Sequence, residues 1–285
     1  MFQCIIKKNQ ELMITGKIAI IGGGNIGCSI ADGLLHANLT TPENIIITRR
    51  KVERLENKRK LGIEVHSDNR KAVADASLLI IAVKPNKMAE ILTEIKDLLN
   101  PDKHIVISVV TFVTIRDIKI IVGNAIPVFR VMPNTAIALA ESMSFIVPDT
   151  QFTDKQGVII ELFERLGRVL LIEEELMKAA TVLGACGIAY ALRFIRAASQ
   201  GGIEIGFDAA TAMEVAAQTV KGAASLLIER HLHPESEIDK VTTPQGITIA
   251  GLNEMEHQGF SSALIKGIVT SFSKMPANLS LPTIN

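Results

Sequence analysis

Lys17-Ile18-Ala19-Ile20-Ile21-Gly22-Gly23-Gly24-Asn25-Ile26-Gly27 decides how this chain folds. A strand-length apolar run ends in glycines. Residues 25–37 then carry Ile26, Ile30, Leu34 and Leu35 at helical spacing. Gly22, Gly24 and Gly27 fill the pattern G-x-G-x-x-G, and a second apolar run, 45–48, follows about twenty residues later. In that context the first glycine makes the tight turn, the second admits a pyrophosphate to the backbone, and the third packs helix on strand. Free N–H groups and the helix dipole hold the anion. The candidate cofactor contacts are Gly22, Gly24, Asn25, Ile26 and Gly27. A glycine-rich turn without a ligand is the plainer alternative, and the strand–turn–helix context weighs against it.

The end of the second strand bears on which dinucleotide is bound. Sites for NAD place an acid there to bond the ribose hydroxyls. Here Thr48 holds the place, followed by Arg49, Arg50 and Lys51. A carboxylate would repel a 2′-phosphate, whereas a hydroxyl and guanidinium groups would bind it. The residues favour NADPH, with NADH as a weaker second cofactor. A solvated helix start would explain the charges but not the missing acid. Asn69 is a further ribose candidate. Ala82, Val83, Lys84 and Pro85 end a buried strand at the edge where open α/β sheets bind ligands. The stretch Arg130-Val131-Met132-Pro133-Asn134-Thr135 ends another such strand. For both, an ordinary strand-to-loop exit fits the residues equally well.

Outward from the glycine turn, strand and helix patterns alternate. Strands are predicted at 78–83, 105–110, 128–132, 144–147 and 168–172, and helices at 52–61, 88–99 and 154–166. Residues 115–122 fit helix or strand. Repeated βα units predict a doubly wound, mostly parallel sheet. Past 172 the strand pattern stops. Long helices are expected at 175–199 and, capped by Asp208, at 209–230. Shorter ones are expected from Thr243-Pro244 to about 256, and at 261–273. From Met177 to Gly202 the only charges are Lys178, Arg193 and Arg196. So apolar a helix must be buried in a domain or between chains. The expected plan is a dinucleotide-binding domain, 1–172, and an all-helical dimerisation and substrate domain, 173–285.

Composition narrows the function classes. The 285 residues hold 30 basic and 30 acidic side chains, so no basic excess argues for nucleic acid. Cys4, Cys28 and Cys186 are too scattered for a disulfide framework or a metal cluster, and they suit a reducing, cytoplasmic setting. No uninterrupted apolar run reaches membrane length, so no membrane partner is expected. Residues 1–15 have their charges after their apolar patch, the wrong order for a signal peptide. They read as a disordered extension or a strand overhang, with Met13 an alternative start. Cys28 is a packing residue whose place near a helix N-terminus would lower its pKa. His66 and His104 read as strand-edge residues. His231 and His233, two apart, fall on different helix faces and make no metal site.

Taken together, the glycine turn with Asn25, Asn69, Ala82–Pro85, and Arg130–Thr135 resemble the pyrroline-5-carboxylate reductases. So does the stretch Val241-Thr242-Thr243-Pro244-Gln245-Gly246-Ile247-Thr248-Ile249-Ala250-Gly251-Leu252, and the likeness runs from Lys17 to about Phe272. The resemblance implies a Rossmann-type doubly wound, mostly parallel sheet plus an all-α C-terminal domain that interlocks into a dimer or larger assembly. It implies NADPH-dependent hydride transfer to a cyclic imino acid, giving L-proline. Thr248 would be the catalytic residue, bonding the ring nitrogen. Thr243, Gly246, Ile247, Thr248 and Glu174 would contact substrate, and Lys240 would join the cofactor set. On the residues, Thr243 suits a helix N-cap and Pro244 a first helical position, leaving the amides of Gly246, Ile247 and Thr248 for a carboxylate.

Several positions depart from the family pattern. Gly184-Ala185-Cys186-Gly187-Ile188 replaces Ser-Gly-Ser-Gly-Pro, and Gln245 stands where the signature has glycine. Ile247 replaces the first threonine of a pair. Thr111-Phe112 replaces Ala-Gly, and Phe112 is expected to narrow the nicotinamide pocket. Other functions compatible with these residues are a related imine or ketone reductase of the same plan, and an NADP-binding sensor without catalysis.

Overall fold

The computed structural model describes residues 5–8, 11–14 and 16–276. They fall into two compact units, one through Cys186 and the other Gly187–Lys274. In the first, β1 (Ile5–Lys8) and β2 (Glu11–Ile14) pair antiparallel. The described part of 1–15 is thus two paired strands, the rest of that segment lying outside the described residues, and Ile14 is buried against Leu39 and its neighbours.

An eight-stranded sheet follows: β3 (Ile18–Ile21), β4 (Ile45–Thr48), β5 (Glu64–His66), β6 (Leu78–Ile81), β7 (Ile105–Ser108), β8 (Val128–Met132), β9 (Ser142–Val147) and β10 (Gly167–Leu171). Its order is β10-β9-β8-β7-β6-β3-β4-β5, parallel except for β8 against β9. The helices are α1 (Asn25–His36), α2 (Glu56–Lys60), α3 (Asn69–Asp75), α4 (Met88–Ile95), α5 (Ile115–Val122) and α6 (Thr153–Glu164). Alternation along β3 sorts the two faces. Ile18 and Ile20 pack with Ile30 and Leu34 of α1 and Leu162 of α6. Ala19 and Ile21 pack with Val73, Leu92 and Ile118 of α3, α4 and α5. Helices cover both faces, so β3 and β6 are apolar at every position. Each fully buried Ile or Leu contributes about 1.5–3 kcal/mol. Thr114 and Asp117 form a capping box that settles the ambiguous 115–122 as helix.

Beyond β10, α7 (Met177–Ala180) leads into a π-helical turn, Thr181–Cys186. Met177 and Ala180 pack on Met132, Phe145 and Val147. That cluster holds residues 174–186 with the sheet, so the compact division falls at 186/187. Gly184 lies against the Phe145 ring, which occupies the place a Cβ would need.

The second unit contains α8 (Gly187–Glu204), α9 (Ala209–Arg230), α10 (Pro234–Val241), α11 (Ile247–His257) and α12 (Phe260–Ser273). Asp208 caps α9 as expected, accepting from Ala210 N and Thr211 N. The hydroxyls of Tyr190 and Ser271 meet at 2.7 Å, and Phe194 meets Phe260 edge to face. Only Ser199, Ala212 and Ala216 are buried among the described residues of this unit, while Leu192, Ile205, Val215, Leu264 and Phe272 are exposed. One sequence expectation needs correction. Glu174–Glu204 is long and apolar enough, by length and composition, to cross a membrane, because helical geometry runs on through Gly184 and Gly187. An apolar helix covered by another copy of its chain passes the same test.

Candidate functional site

The glycine turn forms a cradle at the carboxyl edge of β3. Gly22 has φ +114, and a Cβ there would come within 2.5 Å of the Ala82 carbonyl oxygen. A Cβ on Gly27 would strike the Gly22 carbonyl and Ile20. These two glycines are fixed by the fold itself. Gly24, the N-cap of α1, has open space around its Cβ position and no side-chain cap over the helix amides. The cradle therefore fits an anionic dinucleotide: two glycines shape it, and the third leaves room over a helix N-terminus.

Thr48 binds the cradle from below, its carbonyl accepting from Gly22 N at 3.2 Å and Gly23 N at 2.8 Å. Its hydroxyl donates to Asn69 Oδ1 at 2.7 Å, and Asn69 Nδ2 donates to Glu94 Oε2 at 2.9 Å. The Thr48 hydroxyl proton is thus directed at Asn69, with its lone pairs left for another partner. Arg49 Nη1 donates to the Gly23 carbonyl at 2.6 Å, which sets its guanidinium on the rim of the turn, and Arg50 is exposed beside it. Ala82 and Val83 flank Gly22, and Lys84-Pro85 opens a 3-10 turn with proline at its first position. The first unit thus gathers Gly22–Gly27, Thr48–Arg50, Asn69 and Ala82–Pro85 along one sheet edge. Lys240 lies in the helical unit, ion-paired with Glu237 at 2.6 Å.

In the helical unit the expected helix start moves. Gly246 N donates to the Thr243 carbonyl at 2.8 Å, and Gln245 has φ +59. Thr243-Pro244-Gln245-Gly246 is therefore a tight turn with proline second and a left-handed residue third. α11 begins only at Ile247, with Gly246 as N-cap and no side-chain cap. Pro244 is not in the helix, and the Gly246 amide is spent in the turn. The amides of the first helical turn, beginning with Ile247 and Thr248, are the ones left for an anion. Gly246 is required because a Cβ would come within 2.8 Å of the Thr243 carbonyl oxygen. Gln245 and Phe112 (φ +68) both occupy left-handed backbone, and both stand where the family resemblance has glycine. A non-glycine residue there costs about 1–2 kcal/mol, against about 0.5–1 kcal/mol of unfolded-chain entropy that glycine gives back. Gln245→Gly is thus expected to stabilise the protein by about 0.5 kcal/mol, read as a rise in urea midpoint at unchanged m-value.

Glu174 is engaged by the sheet. Arg130 Nη1, on β8, donates to its Oε1 at 2.6 Å, and Ile115 N donates to Oε2 at 3.4 Å. Arg130 is buried, with no partner for its Nε. Asn134 caps the following 3-10 turn through Ala136 N and donates to the Gly184 carbonyl. The Arg130–Thr135 stretch is thereby tied to the helical segment behind it. Burial raises the Cys28 thiol pKa, Lys58 opposing only in part. This corrects the expectation of a lowered value. Lys58 is itself buried in an ion pair with Asp32. His104 is no edge residue: its ring meets Asn100 N and the Val73 carbonyl, and burial lowers its pKa. His66 does lie on the edge strand, β5.

Sheet and cradle define a dinucleotide-binding protein of two units, the second helical. Residues 17–111 match the family model described as NADP oxidoreductase coenzyme F420-dependent, and 174–276 match pyrroline-5-carboxylate reductase dimerisation. Pyrroline-5-carboxylate reductase 2 of Dictyostelium discoideum is 44% identical over 280 residues, 93% of either chain. Pyrroline-5-carboxylate reductase 1 of that organism is 44% identical over 269 residues; these are 90% of this chain and 49% of the relative, so the chain spans about half of it. A Plasmodium falciparum pyrroline carboxylate reductase, solved with NADP bound, has the same fold at 24% identity (TM-score 0.82, covering 92% of this chain and 97% of that one). This chain belongs to the pyrroline-5-carboxylate reductase family.

Proposed function

We propose that the protein reduces the C=N bond of 1-pyrroline-5-carboxylate to give L-proline, using NADPH, with NADH as a weaker second cofactor. The observation that carries this reading is the pairing, in one chain of that family, of two uncapped helix N-termini. One stands over the open Gly24 position, the other after the Thr243–Gly246 turn. The first suits a pyrophosphate and the second a small carboxylate.

When bound, NADPH supplies the hydride. The protein's part is to hold charges and align the acceptor carbon. Gly22, Gly24, Asn25, Ile26 and Gly27 hold the pyrophosphate. Arg49 and Arg50 take the 2′-phosphate, Thr48 and Asn69 the ribose side, and Ala82–Pro85 the next stretch of the cofactor. In the helical unit, the Ile247 and Thr248 amides bind the substrate carboxylate, shaped by Thr243 and Gly246. The Thr248 hydroxyl orients the ring nitrogen, which takes its proton from water, while the adjacent imine carbon takes the hydride. Glu174, held by Arg130, is a further substrate contact, and Lys240 is a further cofactor contact. The substrate-binding unit begins near residue 173, it self-associates as a dimer or a larger ring, and the protein works in the cytoplasm.

Thr248→Ala tests the assignment. The expected result is a drop of at least tenfold in kcat/KM for the imine, about 1.4 kcal/mol, with NADPH affinity unchanged. A value within twofold of wild type would remove this hydroxyl from the mechanism. No oxidation of NADPH by the wild type with a panel of cyclic imines would leave the sensor reading in its place.

A further inference from the structure

We propose that Glu94 is a positioning residue for the adenosine end of the cofactor site, acting through Asn69. The inference rests on the reading that the cradle takes NADPH. Glu94 is on α4, partly buried, and its carboxylate accepts from Asn69 Nδ2 at 2.9 Å. Asn69 opens α3, behind the N-cap Asp68. Its Oδ1 accepts from the Thr48 hydroxyl, and the Thr48 carbonyl holds the amides of Gly22 and Gly23. A continuous chain of hydrogen bonds therefore runs from α4 through α3 and the end of β4 to the glycine turn.

The chemistry of the chain is directional. A carboxylate can only accept, so Glu94 admits the NH₂ side of the Asn69 amide and repels its oxygen. Turned the other way, the amide would set oxygen against oxygen at 2.9 Å. Glu94 thereby fixes which side of the amide meets Thr48. With the amide so fixed, the Thr48 proton is committed to Asn69, and Thr48 offers only lone pairs to any further partner. Lone pairs accept from a ribose hydroxyl and repel a phosphate oxygen. Phosphate binding then falls to Arg49 and Arg50, while Thr48 and the second Nδ2 hydrogen of Asn69 serve the sugar. Glu94 is held to this task by its own main chain. Arg70 Nη1 donates to the Glu94 carbonyl at 2.6 Å, and the Arg70 guanidinium grips both oxygens of Asp97 at 2.7 Å. The Arg70 charge is thus spent on Asp97, and the Glu94 carboxylate stays with Asn69.

The test compares Glu94→Ala, Glu94→Gln, Asn69→Ala and the Glu94→Ala/Asn69→Ala double variant in the full-length protein. Binding of NADP⁺ is measured by calorimetry, alongside Tm and steady-state kinetics. Glu94→Ala is expected to raise the Kd about tenfold and the KM for NADPH in parallel, with kcat within twofold and Tm within about 2 °C. Glu94→Gln, which retains an acceptor oxygen, is expected to recover most of the affinity. The double variant is expected to bind no more weakly than Asn69→Ala alone, because the two residues act as one unit. The inference is overturned if Glu94→Ala binds within twofold of wild type, if its loss tracks a fall in Tm and kcat, or if the double variant is additive. Failure of the wild type to bind NADP⁺ would instead overturn the cofactor reading beneath it.

Discussion

Gly24→Ala is expected to leave Tm unchanged and to weaken NADPH binding by about a hundredfold, whereas Gly27→Ala is expected to lose binding and stability together. The two glycines lie three residues apart and differ in what surrounds them. Around Gly24 nothing approaches a new Cβ, and its φ of −85 suits any residue. An added methyl group there stands in the space over the first amides of α1, where a pyrophosphate must come close. Loss of that approach separates charge from donors and costs about 2.7 kcal/mol, the equivalent of a hundredfold in Kd. At Gly27 the added methyl meets the Gly22 carbonyl, so helix and turn must part, at about 1–3 kcal/mol for overpacking. Thermal scans with and without cofactor, together with calorimetric Kd values, check both outcomes. Equal Tm losses in the two variants would mean that Gly24 is structural and the cradle reading is wrong.

Glu174→Ala is expected to destabilise the protein by about 3 kcal/mol, roughly 6–12 °C in Tm. The asymmetry of the pair sets this figure. The Arg130 side chain is 5% exposed and Glu174 28%. Removing the acid strands a buried guanidinium whose Nε already lacks a partner, and it also frees Ile115 N. Removing the base leaves a carboxylate that water still reaches. Arg130→Met should accordingly cost less, and Glu174→Ala/Arg130→Met should recover much of the loss. Equal losses from the two single variants, measured by urea denaturation, would contradict this account.

Much of this architecture was legible because it rests on patterns that repeat. β3 and β6 are short unbroken apolar runs, β4 and β7 are apolar up to a final hydroxyl residue, and all four bear the mark of strands buried on both faces. The glycine turn sat where its strand and helix required. β5 and α3 escaped notice: three residues with a glutamate and a histidine at the sheet edge, then seven in a polar stretch, carry too little periodicity to register. The start of α11 was misplaced because Thr-Pro is a common helix opening, and nothing about a glutamine announces left-handed backbone. The candidate site was legible as a set of residues rather than as their bonds. Thr48 meets Asn69, 21 positions on, which in turn meets Glu94. Arg130 finds Glu174 across 44 positions. Such pairings depend on how α3, α4 and the 3-10 turn Glu174–Leu176 are laid against the sheet, which spacing along the chain does not encode.

The helical unit keeps only one serine and two alanines from water by its own packing. So small an interior cannot offset the conformational entropy of ordering five helices. The self-association proposed above would supply the missing contribution and would make the folded state of this half subject to mass action. Under that proposal its persistence in solution depends on how much protein is present, and dilution would act as a denaturant.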